Sequence, residues 1–344
     1  MVSVPFLIGL SVAAVVAVLI GLRLGRKRDS SFDSDWPNDS PGPLAQERTA
    51  QPSAQTKKSK KQPGYAARFD LAELARRLDV PEQQLLAAEP TYRIAKIAKP
   101  SGGTRRLEIP DDDTKALQRC ILRRLLATLN AHPLACGFEE DTSIVDAALP
   151  HQNRAAVIRL DIRRFFESTS ADRVQNWFIA IGWQPGAAEV LTRLTTNDGH
   201  LPQGAPTSPR LSNLINSPLD EGLLRLAKQY GGAYTRYADD ITLSFNFDRG
   251  RKLRGIIQAA RRIVKSYGYT LHGGKKRKVL RRHQRQQVLG LVVNEQVALP
   301  RSKRRWLRAV RHRIENGGEA SLTAAQLKGW ESFCSMVQEQ RDEG

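Results

Sequence analysis

Ala233-Tyr234-Thr235-Arg236-Tyr237-Ala238-Asp239-Asp240-Ile241-Thr242-Leu243-Ser244-Phe245 decides how this chain is read. β-Branched and aromatic residues flank an Ala-Asp-Asp centre, a pattern that predicts strand, two-residue turn, strand. Asp239 and Asp240 then stand side by side at the tip of a rigid hairpin. Carboxylates held there are hard oxygen ligands, suited to Mg²⁺ bound together with substrate phosphates. A short acidic turn is also a common solvated surface feature, and taken alone this one reads that way. The neighbouring segments decide between the two.

Upstream, Ala155-Ala156-Val157-Ile158-Arg159-Leu160 predicts a buried strand ending at Asp161, just before the pair Phe165-Phe166. A strand-end Asp can simply cap the next helix; alternatively, Asp161 joins Asp239 and Asp240 around two metal ions. Leu201-Pro202-Gln203-Gly204 opens a loop in which Gly204 permits close backbone approach. Ser208 is the expected N-cap and Pro209 the expected first residue of a helix whose N-terminus favours an anion. Lys99-Pro100-Ser101-Gly102-Gly103-Thr104-Arg105-Arg106 is a basic turn before a strand at 107–109. A flexible loop bearing a guanidinium fork suits a triphosphate. Read singly, each of these is an ordinary loop or turn.

The 344 residues hold 54 Lys+Arg against 35 Asp+Glu, a net charge of +19. Such a balance points to a polyanionic partner, either nucleic acid or an anionic membrane surface. Cys120, Cys136 and Cys334 have neither framework nor CxxC spacing, which fits a reducing cytosol and argues against zinc. Val4 to Leu22 is almost uninterruptedly apolar, and about nineteen residues at ~1.5 Å rise just cover a hydrocarbon core of roughly 30 Å. Arg23, Arg26, Lys27 and Arg28 follow that run rather than precede it, the reverse of a secretory signal. Residues 1–28 are therefore expected to form an uncleaved transmembrane anchor, N-terminus outside and the remaining chain in the cytoplasm. Residues 29–64, rich in Ser, Pro, Asp, Gln and Lys, predict a disordered linker. Its Lys57-Lys58-Ser59-Lys60-Lys61 cluster suits anionic lipid or RNA.

From Tyr65 the pattern turns globular. Helical spacing is visible over Leu71, Leu74, Leu78 and Val80, over 117–126, and over 256–267, with another short strand at 287–293. Residues 301–313 are intensely basic, with Leu307, Val310 and Ile314 on one stripe, and Trp306 is expected in the core. Lys303, Arg304, Arg305, Arg308 and Arg311 suit a helix that tracks phosphates without reading bases.

The order of the pieces is informative: basic Gly-Gly turn, strand-end Asp with paired Phe, Leu-Pro-Gln-Gly loop, Tyr-Ala-Asp-Asp hairpin, then Leu271-His272-Gly273-Gly274-Lys275. This succession resembles the reverse transcriptases from roughly Tyr92 to Pro300. Within them it is most similar to the bacterial retron type, through Ala238, Gly137-Phe138, Ser143-Ile144-Val145-Asp146 and Gly290-Leu291-Val292-Val293-Asn294. The resemblance implies an α+β right-hand fold, with fingers and a palm of antiparallel strands backed by helices over 65–300 and a helical thumb over 301–344. It implies that Asp161 and Asp239 bind two Mg²⁺ ions, with Asp240 adjacent and the Ile162 carbonyl assisting. It further implies that Arg105 grips the dNTP triphosphate and that Phe166 gates against a ribose 2′-hydroxyl. Gln203 and Gly204 then position nucleotide and template, and Lys275 is the basic residue beyond the hairpin.

The activity implied is RNA-directed DNA synthesis on a structured noncoding RNA serving as primer and template. Its product is a branched RNA–DNA hybrid, with a role in anti-phage defence, and the anchor would then lie in the bacterial inner membrane. Two departures from the family pattern are Val288-Leu289-Gly290 in place of Val-Thr-Gly and Leu271-His272 in place of Leu-Asn. The alternatives are a defence polymerase making untemplated or protein-primed DNA, and a membrane-tethered RNA-binding module with a vestigial palm. Presence of all three carboxylates argues against the module. A group II intron enzyme is disfavoured because little chain follows Pro300.

Overall fold

A computed structural model describes residues 68–98, 102–274 and 277–343. The expected anchor and linker (1–64) and Lys275 lie outside the described residues. Among the described residues no helix is long and apolar enough to cross a membrane.

The central feature is a four-stranded antiparallel sheet of β3 (Ala156–Asp161), β4 (Ala233–Tyr237), β5 (Asp240–Phe245) and β6 (Lys278–Arg281), in the order β4-β5-β3-β6. Strand alternation divides its residues between two faces. Ala156, Ile158 and Leu160 of β3, Tyr234 of β4, and Ile241, Leu243 and Phe245 of β5 point to one face. There they meet Leu219, Leu223 and Leu226 of α8 (Ser217–Gln229) and Leu253, Ile256, Ile257, Ala260 and Val264 of α9 (Gly250–Ser266). Each such buried aliphatic side chain contributes about 1.5–3 kcal/mol, which fixes the register of the sheet on its helices. The other face carries Arg159, Asp161 and Asp240. The expected antiparallel strands backed by helices are what the structure contains.

A second core holds α1 (Leu71–Leu78), α3 (Asp112–Ile121), α5 (Ala171–Ala180), α6 (Pro185–Thr195) and α7 (Ser208–Ile215) together through Leu74, Leu78, Ile121, Phe178, Leu191 and Leu211. Between α1 and α3 lie α2 (Glu82–Ala87) and the hairpin β1 (Tyr92–Ala98)–β2 (Thr104–Pro110). Gly102 and Gly103 of the hairpin turn take φ of 87° and 79°. The short α4 (Ile144–Ala148) precedes the sheet, and α10 (Arg301–Glu315) and α11 (Ala324–Glu343) end the chain. Leu307, Val310, Leu327 and Val337 of these two helices share one core with Val145, Val157 and Tyr237. Residues 301–343 thus have no core separate from the sheet.

Three sequence expectations are corrected. Val80 is not helical, because α1 ends at Asp79 in a left-handed conformation (φ 57°) that satisfies the last carbonyls. The strand expected over 287–293 is a hairpin of β7 (Gln287–Val288) and β8 (Leu291–Val292), turned by Leu289 and Gly290 at φ 47° and 90°. Positive φ at both positions is the type I′ signature of tight hairpins. Ser208 begins α7 rather than capping it; Thr207 is the N-cap residue, and neither hydroxyl finds a partner. The Ser143–Asp146 motif, by contrast, is a capping box that starts α4, and Ser143 also bonds Gln340 of α11 at 2.7 Å.

Candidate active site

The hairpin expected from the sequence is present, with Tyr237 paired to Asp240 and Ala238-Asp239 as its turn. Ala238 has φ 54°. A non-glycine residue there costs roughly 1–2 kcal/mol and is held in place by its surroundings. On one side stands Gly137, where an added Cβ would lie 3.1 Å from the Ala238 nitrogen and 3.2 Å from the Tyr237 ring. Glycine at 137 therefore lets the turn seat against the preceding loop.

Register brings the third carboxylate in. Asp161 at the end of β3 lies directly opposite Asp240 on β5, and the Ile162 amide donates to the Asp239 carbonyl at 2.9 Å. Directly opposed residues place their Cβ atoms about 4.5–5.5 Å apart, a destabilising arrangement for like charges. The Arg159 guanidinium offsets it in part, with Nη2 3.5 Å from Asp240 Oδ1, and the His272 ring lies beside the other carboxylate, Nε2 3.4 Å from Asp161 Oδ1. The His272 amide also donates to the Asp161 carbonyl at 2.7 Å. All three carboxylates are partly exposed.

Among the described residues no group of His, Cys, Asp or Glu forms a ready-made metal cage. The donor set nonetheless fits Mg²⁺, which characteristically takes one or two carboxylates and completes its shell with water and substrate phosphates. Adjacent hard anions on rigid strand ends, open to solvent, are such a donor set.

Phe166 is half-buried against both large cores, 5.4 Å from Phe165 and 6.4 Å from Phe138 between ring centroids. Phe138, itself at φ 66°, lies 5.8 Å from Tyr237, so a row of aromatics runs from the hairpin to Phe166. Gln203 and Gly204 sit against β2: the Glu108 amide donates to the Gln203 carbonyl at 2.9 Å. A Cβ on Gly204, at φ 138°, would lie 2.7 Å from the Glu108 carbonyl oxygen. Arg105 is partly exposed on β2 and makes no ion pair among the described residues, whereas Arg106 lies near Glu108 (3.7 Å) and Asp198 (3.5 Å).

On α10, Arg304, Arg305 and Arg308 are exposed. Lys303 instead holds its ammonium 3.8 Å from the Trp306 ring centre and 4.0 Å from that of Trp330, and Arg311 pairs with Glu331 at 2.7 Å. Trp306 is partly buried, edge-on to Trp330.

Residues that pattern reading missed are buried against the hairpin strands. Arg236 and Asp220 form a fully buried ion pair (2.6 Å) and His151 is buried between Thr235 and Ser244. A signal was available for Arg236, a charged residue at a core-facing position of a strand. A second signal is that no Asp or Glu occurs between Asp248 and Glu295, so α9 and β6 are basic throughout.

Comparison with known proteins agrees with this geometry. Residues 97–293 match the family described as reverse transcriptase (RNA-dependent DNA polymerase). This chain belongs to that family. The retron Mx65 reverse transcriptase of Myxococcus xanthus is 36% identical over 270 residues, covering 73% of this chain and 62% of that protein. The retron Ec86 reverse transcriptase of Escherichia coli is 34% identical over 271 residues, 76% of this chain and 82% of that protein. The retron Mx162 reverse transcriptase of Myxococcus xanthus is 33% identical over 275 residues, 70% of this chain and 56% of its own length. The chain thus spans less than two thirds of both Myxococcus relatives, and its type within the family is the retron type.

Proposed function

We propose that this chain copies a cognate structured noncoding RNA into DNA, using that RNA as primer and template and dNTPs as substrates, and that the product is a branched RNA–DNA. The observation that carries the reading is the register Asp161↔Asp240, with Asp239 on the adjoining turn and Phe166 nearby. Phosphoryl transfer needs positioning and charge neutralisation more than covalent chemistry from the protein. Asp161 and Asp239 would hold two Mg²⁺ ions, with Asp240 and the Ile162 carbonyl beside them; bound there, the metal neutralises phosphate charge and lowers the pKa of the attacking hydroxyl. Arg105 on the β1–β2 hairpin grips the triphosphate. Gln203, whose carbonyl is tied to β2, places the nucleotide against the template, and Phe166 excludes the ribose 2′-hydroxyl. Lys275 adds positive charge past the hairpin, and Arg304, Arg305 and Arg308 track the RNA backbone. Anti-phage defence, with residues 1–28 tethering the catalytic part to the cytoplasmic side of the inner membrane, completes the proposal; it rests on the apolar run and on the family.

The test is co-expression of the full chain with the structured RNA encoded beside its gene, followed by sequencing of co-purified nucleic acid. A DNA complementary to that RNA and joined to it through a 2′-linkage supports the reading. DNA matching no RNA, or the same DNA from Asp239→Asn, refutes it.

A further inference from the structure

Arg236 is the largest fully buried side chain among the described residues. It stands on the helix-facing side of β4, two residues before Ala238. Its Nε and Nη2 donate to the two carboxylate oxygens of Asp220 on α8 at 2.6 and 2.7 Å, and both side chains are 0% exposed. Asp220 also accepts from the Tyr234 hydroxyl at 2.5 Å. The remaining Nη1 donates to Asn213 Oδ1 on α7 at 3.1 Å and to the backbone carbonyl of Ala238 at 3.2 Å. Asn213 in turn donates to the Gly137 carbonyl and to Glu139 Oε1.

Removing two charges from water is costly, and apolar residues of equal volume often hold a core as well or better. Packing alone therefore does not account for this pair. What the guanidinium does that an apolar side chain cannot is bind a carbonyl oxygen, and the carbonyl it binds belongs to the turn residue held at φ 54° immediately before Asp239. The same network holds Gly137, which packs against the Ala238 nitrogen of that turn. A planar fork anchored at two points by Asp220 leaves its third nitrogen little freedom. We propose that Arg236 is a positioning residue for the metal-binding turn: with Asp220 and Asn213 it fixes the Ala238 peptide and so the direction of the Asp239 carboxylate. This rests on the polymerase reading of the site.

The experiment uses the full chain on a primed RNA template of arbitrary sequence. Arg236→Lys keeps the charge and stem but lacks the fork; Arg236→Met/Asp220→Leu replaces the buried pair by apolar volume. For each, thermal midpoint, RNA affinity, kcat, KM for dNTP and the half-saturating Mg²⁺ concentration are measured. The expected result is a kcat at least tenfold lower with half-saturating Mg²⁺ raised severalfold, while RNA affinity stays within twofold. The double variant should recover the midpoint without recovering kcat. Recovery of kcat together with the midpoint, or activity lost only in proportion to the folded fraction at unchanged Mg²⁺ requirement, overturns the proposal. A wild-type chain that makes no DNA on this template or on the structured RNA encoded beside its gene overturns the polymerase reading itself, and the proposal with it.

Discussion

His151 offers a stability prediction whose size follows from its surroundings. It is 0% exposed, its Nδ1 lies 2.7 Å from the Ser244 hydroxyl and its Nε2 2.8 Å from that of Thr235. It thereby bridges the two strands of the Tyr237–Asp240 hairpin. Burial, with a smaller contribution from Arg154, pushes its pKa down to about 3 from an ordinary 6.5. The unfolded chain therefore binds a proton that the folded chain excludes, so this group's contribution is fully present above pH 6.5 and is lost as pH falls toward 3. At 1.36 kcal/mol per pH unit, the loss at pH 5 is roughly 2 kcal/mol. Ordinary carboxylates titrate lower, near 4, so the window from pH 6.5 to 5 isolates histidine. Urea denaturation across that window should show the wild type losing about 2 kcal/mol more than His151→Gln. The comparison is of slopes, because the substitution also alters stability at pH 7. Parallel pH profiles for the two proteins would refute a neutral, buried imidazole.

Other outcomes are expected at the site. Gly204→Ala adds a Cβ 2.7 Å from the Glu108 carbonyl at φ 138°; it should cost about 2 kcal/mol or more and lower both the thermal midpoint and DNA synthesis. Asp239→Asn should abolish DNA synthesis while RNA affinity, measured by anisotropy, stays near wild type. Phe166→Ala should let ribonucleotides compete with dNTPs in primer-extension assays, and unchanged discrimination would remove its gating role. Replacing Arg304, Arg305 and Arg308 together by Ala should weaken RNA binding and flatten the slope of log K against log salt by about 2–3, at roughly 0.7–0.9 per contact.

The hairpin, the strand ending at Asp161 and α9 behind the sheet were legible because each is a local pattern, whereas α8 was not read. β-Branched and aromatic residues mark the hairpin strands, a short apolar run marks β3, period 3.6 the amphipathic α9, and Ala-Asp-Asp the turn. Boundaries failed where backbone conformation rather than hydrophobicity set the stop: Asp79 and Leu289 are non-glycine residues at positive φ, and the Gly290 that follows Leu289 does not by itself mark a tight hairpin. Ser208 failed as a cap because the chain enters α7 already helical at Thr207 (φ −81°, ψ −27°), leaving the serine inside the first turn. The roles given to Lys303 and Arg311 drew on charge density alone. Tertiary neighbours occupy both, since Trp306 and Trp330 flank the ammonium and Glu331 takes the guanidinium.

Residue identity and order determined the carboxylate set, the net positive charge and the strands of the hairpin, because these depend on composition and short-range pattern. Tertiary structure alone decided that Asp161 faces Asp240, that Gly137 and Gly204 are points of close backbone approach, that Arg236 is buried with Asp220 and that His151 is buried between the two hairpin strands. Those relations join residues tens of positions apart, and no local pattern encodes the distance between them. The Tyr-Ala-Asp-Asp segment supplies two carboxylates; the packing around it sets where they stand.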